Sequence, residues 1–290
     1  VSMSHTAEHA YPLTDAQHAQ WRDDGYLLLR DVIDSSVIDG MCDVFAGVAD
    51  RMLRQLKDEG VIDDLGEDLP LKTRFAKVAG THAGKFGRSW RGAIRSPELY
   101  DLHLAPKLVD VMTQLIDGEV LGHPVWNARP KLPSQQLTVV PWHQDSSYFG
   151  EGSDRSQILT VWIPLVEATK DNGCLQVMPG SHKLGLLSHH QEDREGRFLE
   201  VSQAVEPDRA VTCEMQPGDV LIFDNLMLHQ SLANVTDVVR WSVDIRYYRG
   251  GDWIGGIGWP DEDFEWVVHS DRRPVTSAEA WLAQAQKMGW

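Results

Sequence analysis

The 290-residue sequence contains few cysteines and no long apolar run. Its three cysteines, Cys42, Cys174 and Cys213, are far apart and include no Cys-x-x-Cys pair, which argues against a disulfide scaffold and a cysteine-rich zinc site. We expect three reduced thiols in a cytoplasmic protein. No segment approaches the roughly 18 apolar residues of a membrane span, and the polar first residues lack the pattern of a signal peptide.

Positive charge is also scarce. The chain has 27 Lys and Arg against 43 Asp and Glu, which gives a formal net charge of −16. Such a chain lacks the basic face with which a nucleic-acid binder contacts phosphates, and it is unsuited to an anionic membrane surface. An anionic small molecule is still compatible, because one local arginine can outweigh a distant acidic surface. We therefore expect a small-molecule substrate, with neither nucleic acid nor membrane as a partner; a homo-oligomer is compatible with the sequence.

The first part of the chain, from about residue 14 to 116, has a mainly helical pattern. Apolar residues recur there at spacings of three and four, interrupted by a strand-like run at 26–29. Thr14 and Gln17 have the spacing of a capping box, and the segment 34–36 can start the next helix. The charged segment 57–94 has no assignable pattern.

The part from about residue 119 to 248 consists of short β-rich runs separated by Asn-Gly and Pro-Gly turns. The runs are 137–140, 159–163, 174–178, 211–213, 220–223 and 241–247. Many short strands at this spacing favour a sandwich or a jelly roll. Because no Pro-, Gly- or Ser-rich linker separates the two parts, we predict a mainly β fold with flanking α-helices, in one domain spanning 1–290. Its C-terminal extension, 249–290, ends in a helix predicted at 277–287.

Side chains that bind metals lie at the ends of two of these runs. His143 and Asp145 are two residues apart, so on a strand both would point to one face, and His229 follows another run. Two imidazoles and a carboxylate on one side of an ion form a facial triad, which leaves open positions for a co-substrate and O₂. This ligand set suits Fe(II) better than a closed structural zinc site. An isolated His-x-Asp pair, however, is at least as often structural.

Arg240 strengthens the prediction of a catalytic site. It lies eleven residues after His229 and would share a strand face with Ser242. A guanidinium group and a hydroxyl on one face can bind a carboxylate with several hydrogen bonds. The alternative for Arg240 is a β-sheet residue paired with a surface acid, and its position relative to the three candidate ligands favours the carboxylate clamp.

The order of these motifs resembles that of the phytanoyl-CoA dioxygenase-like (PhyH) family of Fe(II)/2-oxoglutarate oxygenases. The resemblance covers residues 17–248 and rests on the segments 24–32, 142–145, 160–165, 171–175, 178–182, 217–219 and 229–240. It implies a double-stranded β-helix, a cupin-like jelly roll with N-terminal helices packed on it. It also implies that His143, Asp145 and His229 bind the catalytic iron, and that Arg240 holds the distal carboxylate of 2-oxoglutarate.

Further site residues are expected around this centre. Ser242, Thr160, Trp162 and Asn127 are predicted to contact 2-oxoglutarate; the alternative for Thr160 and Trp162 is a pair in the β core, and Lys131 is an alternative to Asn127. Tyr148 and Phe149 are predicted to form a wall of the substrate pocket, with a core position as the alternative.

The implied reaction uses Fe(II), 2-oxoglutarate and O₂ to hydroxylate, or otherwise oxidise, a small or medium organic molecule such as a natural-product intermediate, with release of succinate and CO₂. Related halogenases have Gly or Ala where this chain has Asp145, so the carboxylate disfavours halogenation. Two other classes stay open. One is a non-catalytic metal-binding or sensing jelly roll, and the other is a cupin-like hydrolase or isomerase that does not use O₂.

Overall fold

The computed structural model describes residues 10–86, 89–134, 138–192 and 198–289. The helices are α1 (Asp15–Asp24), α2 (Ser35–Asp58), α3 (Leu71–Ala79), α4 (Ser89–Ala93), α5 (Pro97–His103), α6 (Pro106–Leu115), α7 (Ser146–Phe149) and α8 (Ala278–Lys287). The strands are β1 (Tyr26–Leu29), β2 (Val120–Gly122), β3 (Asn127–Ala128), β4 (Ile158–Pro164), β5 (Leu175–Val177), β6 (His189–Gln191), β7 (Leu199–Val201), β8 (Val211–Cys213), β9 (Val220–Asp224), β10 (His229–Ser231), β11 (Ser242–Arg249) and β12 (Val267–His269). Among the helices of these ranges, none is both long and apolar enough to cross a membrane.

Two antiparallel sheets form the β core. The larger has seven strands in the order β1-β9-β4-β11-β2-β12, with β3 also paired to β11, and the smaller has the order β10-β5-β8. Every residue of β4 is buried, because this strand lies between β9 and β11 and both of its faces are covered. A separate hairpin pairs β6 with β7. The mainly β architecture with flanking helices is therefore confirmed.

Five of the six predicted runs contain strands, and one does not. Residue 137 lies outside the described residues, and 138–140 are not in a strand. Polar groups of this segment contact side chains instead: Lys131 Nζ donates to the Thr138 carbonyl oxygen at 2.7 Å, and the Val140 N–H donates to Ser231 Oγ at 3.0 Å. The backbone contributes one bond to β10, from the Ser231 N–H to the Val140 carbonyl oxygen at 3.0 Å, and no strand ladder forms, so the strand prediction is wrong for 138–140.

The N-terminal helices share one apolar cluster with strands of the larger sheet. Thr14 and Gln17 form the predicted capping box of α1, and β1 occupies the predicted residues. The unassigned segment 57–94 folds into α3, a 3₁₀-helix (Gly80–Phe86) and α4. Phe75 and Trp90, both buried, meet there with ring centroids 5.2 Å apart. Packing of these rings explains why helices form in a segment with little helical periodicity.

The C-terminal extension packs against the β core through buried tryptophans. Trp266 and Trp281 are fully buried, with ring centroids 5.1 Å apart, and Trp259 is 5.9 Å from Trp266. A Cβ on Gly122 would lie 2.4 Å from the Trp266 ring, so this strand position accommodates only glycine. Trp253, in contrast, is 62% exposed. Packing of Trp259 and Trp266 therefore holds the extension against the β core.

Candidate active site

The three predicted metal ligands converge at one point. One potential ligand atom from each of His143, Asp145 and His229 lies within 4.8 Å of the other two, and all three residues are buried. His143 and His229 lie in an isolated β-bridge in which each N–H donates to the other's carbonyl oxygen at 3.0 Å. Asp145, however, has helical backbone angles (φ −60°, ψ −35°) as the N-cap of α7. A turn into α7, and not the two-residue repeat of a strand, therefore brings Asp145 beside His143.

Both imidazoles present the same nitrogen to the centre. Nδ1 of His143 lies 2.8 Å from the Pro141 carbonyl oxygen, and Nδ1 of His229 lies 3.0 Å from that of Met227. Because a carbonyl oxygen only accepts, each Nδ1 carries the proton, and the lone pair lies on Nε2. Each Nε2 is 3.7 Å from Asp145 Oδ1. Burial and the neighbouring His143 lower the pKa of His229 to about 3, which keeps this imidazole neutral. The donor set therefore fits a divalent metal ion.

The carboxylate of Asp145 is held ionised by its surroundings. Its Oδ2 accepts hydrogen bonds from Thr160 Oγ1 at 2.6 Å and from Arg246 Nη2 and Nε at 2.8 and 3.1 Å. Burial would raise the pKa of the Asp145 carboxyl, but Arg246 and the two histidines hold that pKa well below its usual range. A metal ion bound here would therefore meet a charged oxygen ligand.

Arg240 precedes β11 in an isolated bridge with Lys131, and its side chain lies beside Ser242. Its Nη1 donates to Ser242 Oγ, its Nη2 donates to the Gly173 carbonyl oxygen at 2.9 Å, and its Cζ is 4.9 Å from the Trp162 ring centroid. The residue is only 2% exposed, its buried Nε has no hydrogen-bond partner, and no described carboxylate forms an ion pair with it. Burial lowers the pKa of Arg240 to about 9. A buried guanidinium without a carboxylate partner fits an anionic ligand such as 2-oxoglutarate.

One cavity of about 750 Å³ joins the triad to Arg240. Thr160, Trp162 and Asn127, which the sequence suggests as contacts of 2-oxoglutarate, line this cavity. Ser242 does not line it and accepts a hydrogen bond from Arg240. The Thr160 hydroxyl is directed to Asp145, whereas Asn127 Nδ2 donates to Asp244 Oδ1 at 2.7 Å. The volume lies in the range of pockets that enclose small molecules.

The structure places Tyr148 and Phe149 outside the lining of this cavity. Phe149 is 3% exposed and packs against His123, with ring centroids 4.9 Å apart, and against the Arg246 guanidinium. For Phe149 the predicted pocket-wall position is therefore corrected to the alternative core position, because α7 turns its ring toward the sheet. Tyr148 packs edge-on against His143 at 5.5 Å, and its hydroxyl accepts a hydrogen bond from the Leu199 N–H at 2.7 Å.

Two charged residues of this site are absent from the sequence prediction. Arg246 and Asp244 are 3% and 4% exposed, and Arg246 Nη1 donates to Asp244 Oδ1 at 2.7 Å. Both lie on the same face of β11 as Ser242, and Arg240, just before the strand, continues this face. Every second residue from 240 to 246 is polar, and the residues between are apolar. Extending the two-residue repeat along this strand would have identified them.

Lys131, which the sequence suggested only as an alternative to Asn127, also lines the cavity. It is 1% exposed, and its Nζ donates to Ser231 Oγ at 2.7 Å as well as to the Thr138 carbonyl oxygen. The neighbouring Lys131↔Arg240 bridge brings this ammonium group to the same end of the cavity as the guanidinium. Two cationic side chains, Lys131 and Arg240, therefore lie together on the wall of the cavity.

The chain is similar in sequence to known dioxygenases and hydroxylases. The sequence model of the phytanoyl-CoA dioxygenase (PhyH) family matches residues 21–242. A probable phytanoyl-CoA dioxygenase of Caenorhabditis elegans is 25% identical over 81% of this chain and 75% of its own length. The 1-deoxypentalenic acid 11-beta-hydroxylase of Streptomyces arenae is 27% identical over 81% of this chain and 82% of its own.

Solved structures share the fold. The non-heme monooxygenase ThoJ superposes with a TM-score of 0.59 at 19% identity, over 87% of this chain and 83% of its own. EvdO2 from Micromonospora carbonacea var. aurantiaca, solved with 2-oxoglutarate, gives a TM-score of 0.56 at 22% identity, over 88% of this chain and 98% of its own. Together these comparisons confirm the predicted class, a non-haem iron, 2-oxoglutarate-dependent oxygenase with a jelly-roll fold. The chain belongs to the phytanoyl-CoA dioxygenase (PhyH) family.

Proposed function

We propose that this chain oxidises a C–H bond of a small or medium organic molecule, with His143, Asp145 and His229 as the iron ligands and Arg240 as the anchor of 2-oxoglutarate. The observation that carries the proposal is the cavity that connects a buried two-histidine, one-carboxylate triad with a buried arginine that has no carboxylate partner among the described residues. When bound, Fe(II) with 2-oxoglutarate and O₂ supplies the oxidising chemistry, and succinate and CO₂ are released.

The residues of this chain bind and orient the reactants. The carbonyl oxygens of Pro141 and Met227 fix the rings of His143 and His229, so both Nε2 atoms already point to one place. Arg240 and Ser242 would hold the distal carboxylate of 2-oxoglutarate, and the Trp162 ring would pack beside it. Asn127 and Lys131 lie on the same cavity and would face the remaining polar groups of the co-substrate. Burial of these groups would keep water away from the reaction.

The substrate class is argued from the relatives and from the cavity. The relatives include a 1-deoxypentalenic acid 11-beta-hydroxylase and an ectoine dioxygenase, and one structural neighbour is a carbocyclase from nogalamycin biosynthesis. A cavity of about 750 Å³ accommodates 2-oxoglutarate together with a molecule of such a size. The carboxylate at Asp145 supports oxygenation over halogenation. The three free cysteines and the acidic composition support a cytoplasmic enzyme without a nucleic-acid or membrane partner.

The experiment follows the fate of 2-oxoglutarate. Protein loaded with Fe(II) is mixed with 2-oxoglutarate and O₂, with and without a panel of candidate substrates, and succinate is measured. We expect succinate from the wild type, and none above background from His143→Ala or His229→Ala, which lose iron. Bound iron without any succinate would favour a metal-binding jelly roll. Turnover of a substrate under strict anaerobiosis, without 2-oxoglutarate, would favour a cupin-like hydrolase or isomerase.

A further inference from the structure

The two carboxylate oxygens of Asp145 have different surroundings. Oδ1 faces the histidines, 3.7 Å from Nε2 of His143 and 3.7 Å from Nε2 of His229. Oδ2 faces the opposite side and accepts three hydrogen bonds, two from Arg246 and one from Thr160. Three donors occupy the acceptor positions that Oδ2 offers, whereas Oδ1 is left for a metal ion.

Arg246 is itself held in place. Its third nitrogen, Nη1, donates to Asp244 Oδ1 at 2.7 Å, and its guanidinium carbon lies 5.5 Å from the Phe149 ring centroid. Asp244 is fixed in turn by Asn127 Nδ2 at 2.7 Å and by Arg129 Nε at 2.9 Å. Arg246 therefore cannot move away from Asp145 without leaving a buried carboxylate unpaired, which is strongly unfavourable.

We propose that Arg246, together with Thr160, is a positioning residue that holds Asp145 as a one-oxygen metal ligand through Oδ1. The inference rests on the proposed function, because it assumes that the triad binds a metal ion. It assigns to Arg246 a role in the metal site that extends beyond neutralising a buried charge.

The number of ligands explains why such control matters. On an octahedral ion, two histidines and one carboxylate oxygen leave three positions. A keto-acid that binds through two oxygens would use two of them and leave one for O₂. If Asp145 rotated to bind with both oxygens, this last position would be lost. The hydrogen bonds from Arg246 and Thr160 to Oδ2 oppose that rotation.

The test replaces the two-nitrogen contact by a single ammonium group. Arg246→Lys keeps the positive charge but cannot donate from two fixed nitrogens to one oxygen. Co(II) is titrated into the metal-free protein, and both its dissociation constant and its visible d–d absorption are recorded. We expect Arg246→Lys to weaken Co(II) binding about 10-fold or more, as is typical for partners of metal ligands, and to change the absorption because the coordination number changes.

Arg249→Lys is the matched control. Arg249 lies on the same strand and donates through Nε and Nη2 to Asp252 Oδ1, at 3.0 and 2.8 Å, but it is half-exposed and not part of the cavity. This variant should bind Co(II) as the wild type does. Circular dichroism and thermal melting establish that both variants are folded.

Thr160→Val provides a second route, should Arg246→Lys fail to fold. It removes one of the three donors to Oδ2 with little change of shape, and Thr160→Ser restores the hydroxyl. We expect weaker Co(II) binding and an altered absorption for Thr160→Val, with recovery in Thr160→Ser. If Arg246→Lys folds and keeps the Co(II) affinity and absorption of the wild type, the inference is overturned, but the proposed function is not. If Arg246→Lys does not fold, the same result for Thr160→Val has the same meaning. A wild-type chain that binds no Co(II) would instead overturn the proposed function.

Discussion

Arg240 is the residue whose replacement tests the co-substrate site most directly. Loss of a buried partner of a charged group costs about 2 kcal/mol or more, which corresponds to roughly 30-fold in affinity. We therefore expect Arg240→Ala to raise the dissociation constant of 2-oxoglutarate by at least this factor, measured anaerobically by titration of the Fe(II) protein. Arg240→Lys should recover only part of the affinity, because lysine lacks the planar guanidinium.

Arg249→Ala is the control for this prediction. It removes an arginine from the same strand at a site that does not line the cavity, and its 2-oxoglutarate affinity should stay that of the wild type. Unchanged 2-oxoglutarate binding in Arg240→Ala would remove this residue from the proposed site.

Residue types and spacings were sufficient to predict the centre, but not its supporting contacts. His143, Asp145 and His229 could be selected because their chemistry and positions agree, even though Asp145 lies at a helix start and not on a strand. The alternation on β11 defines a face, but it does not say which acid an arginine meets on that face. The contact of Arg246 with Asp145 joins residues 101 positions apart and depends on the tertiary fold.

At the scale of the elements, the turn before β5 supports the co-substrate site. Gly173 has φ +87°, its carbonyl oxygen accepts from Arg240, and a Cβ there would lie 2.4 Å from Lys131 Cε. Gly173→Ala should therefore cost more than the roughly 1–2 kcal/mol of the left-handed backbone alone. We also expect weaker 2-oxoglutarate binding, because Lys131 and Arg240 must both shift. Chemical denaturation and anaerobic titration measure the two effects.

Gly251→Ala separates backbone strain from contact at the site. Gly251 has φ +86°, but a Cβ there would meet no atom within 4 Å. The free energy of unfolding of this variant should fall only by the roughly 1–2 kcal/mol of the left-handed backbone, and its 2-oxoglutarate affinity should stay that of the wild type. Equal 2-oxoglutarate affinity in Gly173→Ala and Gly251→Ala would show that the turn does not position Arg240.

The elements that the sequence predicted well are those with a strong local pattern. The strand β4 is a mainly apolar run, and α2 has buried apolar residues at helical spacing from Ile38 to Leu56, so each could be placed from its own residues. The helices α3 and α4 are short and could not, because rings such as Phe75 and Trp90 stabilise them through partners elsewhere in the chain.

At the scale of the whole molecule, we propose that the chain folds as one domain. One apolar cluster includes Leu13, before α1, the central strand residue Val161, and Met288, after α8. Trp281 of α8 is fully buried in this cluster. Trp281→Ala should therefore lower the free energy of unfolding by about 3–5 kcal/mol and shift a single transition as a whole. Trp253→Ala, at a 62% exposed position, should change it little. Two separate transitions in calorimetry would contradict one domain.

Buried histidines predict how the stability of the metal-free protein depends on pH. Burial lowers the pKa of His103 to about 4, and burial together with Arg246 lowers the pKa of His123 to about 3. In the unfolded chain both would titrate near 6.5. Below pH 6.5 the unfolded state therefore binds protons that the folded state does not, so stability present above this pH is lost as the pH falls toward 4. Each residue contributes a slope of up to about 1.4 kcal/mol per pH unit.

The measurement is denaturant unfolding of the metal-free protein from pH 8 to pH 4.5. We expect a plateau above pH 7 and a decline below 6.5, with His229, whose pKa is also lowered, adding to it. The carboxyls of Asp145 and Asp244 have lowered pKa values, so their contribution is lost only below this window. In His103→Gln the slope of unfolding free energy against pH should fall by up to about 1.4 kcal/mol per pH unit, the contribution of one proton, because glutamine does not titrate. A slope unchanged in a folded His103→Gln would show that this ring takes up its proton in the folded state as well.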